Sequence, residues 1–405
     1  MVLATRSPRD GDQKKASGGQ GSVSDRPPPH DSHQQPGTAP SPTSLRGLDW
    51  FTFFVADVQT GFGPFVSVYL TAHAWTQVDI GLVLTVGGLV ALICQIPGGA
   101  IVDLARSERF VAMIAVLAIA VSALAIAVWP IFPMVLGAQI LHAAASCVLG
   151  PAIVAISLGL VGHVAIGERL GRNARFASIG NAVSAALMGA TGYLLSNRAV
   201  FFFTAALAIP VIFALSRIRE NEIDPVRAHG GRAIPPPTKV IAGLRRLAHN
   251  RTLLVVAACA LLFHLANSAM LPLTASIVTM RTSNWATILI AACIVAPQIV
   301  VAVCSPWIGH HAQIWGRRPL LLIGFAALPI RGILLAMVSN PYALVAVQFL
   351  DGISGAVLAV MIPLVVADVT RGTGRFNLAQ GLVGSAVGIG ASLSTTLAGY
   401  MSDHF

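Results

Sequence analysis

The sequence predicts an all-α polytopic membrane protein built from two related helix bundles, and three observations carry that prediction. The chain of 405 residues is 55% hydrophobic and 10% charged, whereas soluble domains carry about a quarter charged residues, so an ordinary globular enzyme is excluded. Eleven apolar runs follow one another, each near the roughly 20 residues that cross a bilayer as a helix. A glycine-and-arginine turn between two of these runs occurs once in each half of the chain, which indicates a tandem duplication.

Residues 1–46 are rich in Pro, Ser, Gly, Asp and His and show no apolar periodicity. Such a stretch cannot bury enough surface to offset the entropy of ordering, so a disordered cytoplasmic tail is expected, with His30 and His33 solvated rather than metal-bound. It lacks the compact apolar core of a signal peptide. Spans are then expected at 48–72, 77–101, 110–129, 133–160, 174–196, 199–216, 252–277, 286–309, 319–338, 341–367 and 376–400. Residues 47–216 form a first bundle of helices 1–6, residues 217–251 a cytoplasmic linker and residues 252–405 a second bundle of helices 7–11. The linker is marked by Pro225, Gly230, Gly231 and Pro235–Pro236–Pro237, and its stretch Lys239 to Arg251 alternates apolar and basic residues like a helix lying on a leaflet. Gly192–Tyr193 ends span five and Phe201 opens span six; the matching Gly399–Tyr400 ends span eleven and the chain closes at Phe405. A twelfth helix is therefore expected and missing, as in a truncated product or reading frame ahead of a natural eleven-span variant.

Orientation follows from where the basic residues gather. The tail, the linker and the turns holding Arg106, Arg109, Arg169, Arg172, Arg175, Arg317, Arg318, Arg371 and Arg375 fall on one side, against Arg198 and Arg281 on the other. The amino terminus is thus expected in the cytoplasm. The same asymmetry accounts for the net charge of +10 without nucleic acid. Cys94, Cys147, Cys259, Cys293 and Cys304 lie unpaired in apolar runs and read as core residues.

The repeated turn is Gly99-Ala100-Ile101-Val102-Asp103-Leu104-Ala105-Arg106 in the first half and Gly309-His310-His311-Ala312-Gln313-Ile314-Trp315-Gly316-Arg317-Arg318 in the second. Both resemble the loop signature Gly-x-x-x-Asp-Arg-x-Gly-Arg-Arg of the major facilitator superfamily. The first copy keeps Asp103 and loses the second glycine; the second keeps Gly316, Arg317 and Arg318 and has Gln313 at the acidic position. The resemblance implies two pseudo-symmetric six-helix bundles that alternate access to a central cavity. It also implies that Gly99, Asp103, Arg106, Gly309, Gly316, Arg317 and Arg318 form a cytoplasmic gate through charge and helix-terminus contacts.

Ionisable groups inside spans cost about 2.5–3.5 kcal/mol on insertion scales and need a partner or a role. Asp57 precedes Gly61, Gly63 and Pro64, which weaken the helix, and shares a face with Thr60. His264, Asn267 and Ser268 share the corresponding face of span seven, with Pro272 in the place of Pro64. These residues are expected along a proton or substrate pathway. Arg331 in span nine and Asp351 in span ten, near Gln348, suit a buried charge pair first and anion recognition second. His142, Gln139, Asn181 and Gln298 add polar groups that line the cavity or bond a neighbouring helix. Gly180 and Gly189, then Gly192, repeat the interval of Gly381 and Gly390 and are expected at close helix contacts; they also resemble part of the antiporter signature of drug exporters.

No nucleotide-binding loop, paired-acid motif, zinc pair or nucleophile elbow occurs, so no enzyme and no cofactor are expected. The sequence reads as a monomeric proton-coupled secondary transporter of a small organic solute in a bacterial inner membrane, with export ahead of uptake by symport. A non-transporting receptor or regulator is the reading from another class.

Overall fold

The computed structural model describes residues 40–60, 64–231, 240–271, 286–338 and 340–404. The described residues are helices and short connections, without a strand. In chain order the helices are α1 (Pro42–Thr60), α2 (Pro64–Ala72), α3 (Gln77–Leu104), α4 (Glu108–Val128), α5 (Phe132–Leu194), α6 (Asn197–Ala206) and α7 (Ala208–Ser216). The short α8 (Pro225–Ala228), then α9 (Val240–Leu247) and α10 (Arg251–Asn267), lead into the second half. There follow α11 (Ala286–Ile314), α12 (Arg317–Met337), α13 (Pro341–Val347), α14 (Phe349–Val369) and α15 (Phe376–His404). Polar residues start several of them by accepting the unpaired N–H groups of a first turn: Thr76 from Asp79, Ser107 from Phe110, Ser196 from Ala199, Asn250 from Leu253 and Asn340 from Tyr342.

Eight helices among the described residues are long and apolar enough to cross a membrane, nine if the bent pair Ile241–Leu247 and Arg251–Asn267 is one span. One of the eight, α5, has 63 residues and would run about 95 Å unbroken, three times the hydrocarbon thickness of about 30 Å. It breaks at Gly162, whose φ of 68° and ψ of −179° suit glycine and almost no other residue. Two spans therefore meet at a one-residue corner. This corrects the expected loop between spans four and five: the helix resumes at once, and Arg169, Arg172 and Arg175 lie on it. The physical reason is that Arg169 is buried with a partner, so its charge does not interrupt the span.

The first core gathers Leu48, Phe51, Tyr69, Ile119, Ile126 and Phe201 from helices of the first half. The second runs across the boundary between halves, joining Leu158, Ile166 and Leu170 of α5 to Ile308, Leu364 and Phe376. The outside is apolar as well, with Ile93, Val121, Leu262, Ile299 and Ile333 each more than half exposed. A soluble protein rarely leaves such residues in continuous patches; lipid is their solvent.

Two helix pairs close the boundary: α3 against α15, and the second span of α5 against α11. A methyl at Gly99 would collide with the Asn377 backbone, one at Gly381 with Gln95, one at Gly167 with the Gly309 carbonyl and one at Gly171 with Ser305. Nine positions further along, Gly180 meets the Phe53 carbonyl of α1 and Gly390 meets Leu261 of α10. The true repeat is thus Gly171 and Gly180 with Gly381 and Gly390. Gly189 was expected at such a contact and has nothing within 4 Å, while Gly192 makes only ordinary contact with Asn197 and Val200. Nine residues rotate a helix by about two and a half turns, which carries Gly189 to the face opposite Gly180.

Candidate functional site: a polar cavity and a sealed seam

The second half holds a cavity of about 410 Å³ between α10, α11, α14 and α15. His264, Asn267, Gln298 and Asp351 bring polar groups to its otherwise apolar wall. His264 donates through Nδ1 to the Ala260 carbonyl at 2.9 Å, which leaves Nε2 available as an acceptor. Behind the wall Arg331 is 1% exposed and donates through one terminal nitrogen to Asp351 Oδ1 at 2.6 Å and Asn267 Oδ1 at 2.5 Å. Its other terminal nitrogen donates to Gln348 Oε1 at 2.6 Å. Pro329 and the shared helix α12 bring the guanidinium inward, where burial without partners would be prohibitive.

The charge pair expected from the sequence therefore forms, and it includes Asn267. Saturation is incomplete, because Arg331 Nε and Gln348 Nε2 are buried without a hydrogen bond among the described residues. Asp351 is one quarter exposed and belongs to both the pair and the cavity wall. Ser268, expected beside His264 and Asn267, does not line this cavity; its amide closes the helix on the His264 carbonyl at 3.0 Å.

In the first half the side chains of Asp57 and Thr60 lie outside the described residues, as do Gly61 and Gly63, and in the second half so does Pro272. Gln139 is buried against Gly87 of α3, and His142 bonds Ser146 at 3.2 Å one turn along its own helix. Neither lines the cavity of the second half.

A second charge cluster sits near the start of α1. Asp49, 2% exposed, accepts from Arg169 at 2.5 Å and from Arg172 Nε and a terminal nitrogen at 2.9 Å and 2.7 Å. Arg169 Nε also donates to Asn173 Oδ1 at 2.8 Å, and Asn173 donates to Ser157 at 2.7 Å. Sequence reasoning missed this cluster. The available signal was an acid at the head of a span together with two arginines at helical spacing, 120 and more residues away.

The signature residues lie where the halves close. Asp103, 3% exposed, accepts from the Asn377 amide at 3.1 Å, the Asn377 side chain at 2.9 Å and the Leu378 amide at 2.7 Å. A carboxylate of the first half thus caps α15 of the second, where unpaired N–H groups favour negative charge. In the other copy Gln313 donates to the Val164 carbonyl just past the Gly162 corner, and His310 meets Glu168 at 2.8 Å. Arg317 pairs with Asp368 at the end of α14 at 2.9 Å. Gly316 takes φ 80° to start α12. Arg106 and Arg318 are exposed and make none of these cross-seam bonds.

The start of the linker also belongs to this seam, which the sequence did not foretell. Ile223, Ala228 and His229 are buried. The Asp224 amide donates to the Gly159 carbonyl at 3.1 Å, and the Gly372 amide to the Gly230 carbonyl at 2.5 Å. His229 faces the Pro225 and Val102 carbonyls with its two ring nitrogens, at 2.5 Å and 3.2 Å, with Glu108 at 3.6 Å. Glu222 ties the same segment to the head of α1: burial alone would raise its carboxyl, but donors from Ser41 and Ser44, with Arg219 nearby, hold it below the ordinary range.

The sequence model described as the Major Facilitator Superfamily matches residues 50–300 and 256–405. An uncharacterised MFS-type transporter of Mycobacterium tuberculosis, present in strains H37Rv and CDC 1551, is 40% identical over 369 residues, covering 89% of this chain and 87% of the relative. Among solved structures, the MFS transporter FucP in the outward conformation superposes with a TM-score of 0.70 at 15% identity, covering 89% of this chain and 92% of that one. The human organic anion transporter MFSD10 superposes with a TM-score of 0.63 at 16% identity, covering 88% and 93%. A polytopic helical fold with glycine-tight seams between two halves, matched along nearly its whole length, belongs to the Major Facilitator Superfamily of membrane transporters.

Proposed function

We propose that the chain is a proton-coupled secondary transporter of a small organic solute, working by alternating access as a monomer in a bacterial inner membrane, with export ahead of uptake. The observation that carries this reading is the cavity wall in which Asp351 is both paired with buried Arg331 and exposed to the cavity, beside His264. Protonating Asp351 would loosen its hold on Arg331, which also donates to Asn267, and so would couple proton occupancy to the packing of α10, α12 and α14. A proton moves the equilibrium only if the two access states bind it differently, and a carboxylate whose pairing with Arg331 changed with helix packing would supply that difference. Asp57 is the proposed counterpart in the first half, and residues 47–216, 217–251 and 252–405 are the proposed moving units.

With the amino terminus in the cytoplasm, the seam capped by Asp103 is the cytoplasmic gate. Asp351 then lies about 15 Å into its span from Asn340, toward the outer face. Cysteine labelling tests the orientation: reagents added from outside should reach a cysteine placed at Arg198 and spare one at Arg317. For the coupling, a solute identified by ligand-induced thermal stabilisation is loaded into vesicles and a pH gradient is imposed. Flux driven by the gradient is expected in the wild type and lost in Asp57→Asn and Asp351→Asn; full coupled flux in both variants would reject the mechanism. The direction of flux in vesicles of known sidedness separates export from symport.

A further inference from the structure

The polar cavity of about 410 Å³ has a larger counterpart in the first half. A groove of about 600 Å³ opens on the flank of the first half between α1 and α7. Its upper rim carries Arg46, Arg217 and Thr43; its walls are Trp50, Phe54, Pro210 and Phe213. Gly47 makes the floor: a methyl there would stand 3.0 Å from the Ala214 carbonyl and 3.1 Å from Arg217 Cβ, so the two helices lie nearly in contact beneath the rim.

Both arginines are exposed, and neither forms an ion pair among the described residues. The acids of the adjoining turn are already engaged, Glu220 with Arg109 and Glu222 with Arg219 and Ser41. Arg217 lies over the Phe213 ring at 4.7 Å, which fixes its height at the boundary between the cationic rim and the aromatic wall. Trp50, one turn below Arg46, stacks on Phe54 at 5.8 Å, and tryptophan favours the membrane interface. The groove therefore changes from two unneutralised guanidinium groups to an aromatic trough along one helix length. Guanidinium forks suit phosphate oxygens, and the trough suits an acyl chain.

We infer that this groove is a binding site for an anionic phospholipid of the inner leaflet, its phosphate held by Arg46 and Arg217 and a chain laid along Trp50, Phe54 and Phe213. The inner-leaflet placement rests on the orientation proposed above; the binding itself does not.

The test uses the full chain in nanodiscs of phosphatidylcholine alone or mixed with phosphatidylglycerol, where both faces meet the same lipid and orientation has no influence. Phosphatidylglycerol is expected to raise the thermal midpoint of the wild type by about 5 °C and that of Arg46→Gln/Arg217→Gln by about 1 °C or less. Equal midpoints for the two proteins in phosphatidylcholine keep the lost increment distinct from misfolding. The double variant Arg251→Gln/Arg371→Gln, with the same change of charge elsewhere, should retain the rise. Phosphatidylglycerol should also co-purify with the wild type, measured by mass spectrometry, and be depleted in the Arg46 and Arg217 variant. An equal rise in both double variants would reduce the effect to general charge and overturn the site. A rise produced by inorganic phosphate alone and abolished by the Arg46 and Arg217 changes would make it a soluble-anion site and overturn the lipid assignment.

Discussion

Asp49 in the first half and Asp351 in the second both meet arginine, and they are held in opposite ways. Asp49 is enclosed, with both oxygens taken by Arg169 and Arg172 and the arginine bonded onward to Asn173. Asp351 gives one oxygen to Arg331 and turns the rest of its carboxylate to a cavity, while its partner keeps an unbonded Nε. With both oxygens committed inside the protein, Asp49 supplies the charge that buried Arg169 needs. Asp351 has one oxygen in the pair and a place in the cavity wall, and its partner has Asn267 and Gln348 besides. Saturation and access, rather than the presence of a charge in a span, separate the two acids.

The largest effect expected from that contrast is at Asp49. Asp49→Asn leaves Arg169 buried against a neutral side chain and is expected to destabilise the protein by about 3–5 kcal/mol, read as a fall in folded yield and in the thermal midpoint. Asp351→Asn removes the carboxylate from one arginine rather than two, and Arg331 retains Asn267 and Gln348, so it is expected to cost less than Asp49→Asn while removing gradient-driven flux. Equal destabilisation by the two changes would erase the distinction.

The seam supplies an intermediate case, since Asp103 is enclosed but its donors belong to α15 of the other half, from which it would part under the proposed mechanism. Losing one charge-assisted bond in Asp103→Asn is worth about 1.5 kcal/mol, roughly a tenfold rise in the parted state. Alkylation of Cys94 on α3, with the other four cysteines replaced by alanine, should accelerate to match. An unchanged rate would place the seal elsewhere.

Glu222 is the weakest case, half-buried and tied to the Ser41 amide and hydroxyl, with an ion pair to an exposed Arg219. Its folded pKa is depressed, so its contribution is present above the unfolded value of 4.5 and disappears as pH falls through the folded value. Wild type and Glu222→Gln should therefore differ slightly in thermal midpoint at pH 7 and converge in acid. A gap that persists in acid would mean that shape rather than charge holds the linker.

The apolar spans were legible because hydropathy is a property of consecutive residues. The pair of Arg331 and Asp351 was legible because each interrupts an apolar run and so demands a partner. The run containing Arg169 misled for the same reason in reverse: a charge matched by Asp49 far upstream does not end a helix, and no window along the sequence contains both. Gly180 and Gly189 shared the right interval in the wrong register, since spacing fixes a face and not its neighbour. Asp103 was legible through its signature, but Asn377, which receives it, carries no mark in sequence. His229 was hidden in a polar segment whose composition reads as tether.

The buried beginning of that tether changes where the molecule can be divided. Residues 220–231 are bonded to Gly159, Val102 and Gly372, so a break near Arg217 would strip a wedge from this seam. Fragments separated after Gly231 would each keep their half of the closure, and reassembly on co-expression would favour that site over the earlier one.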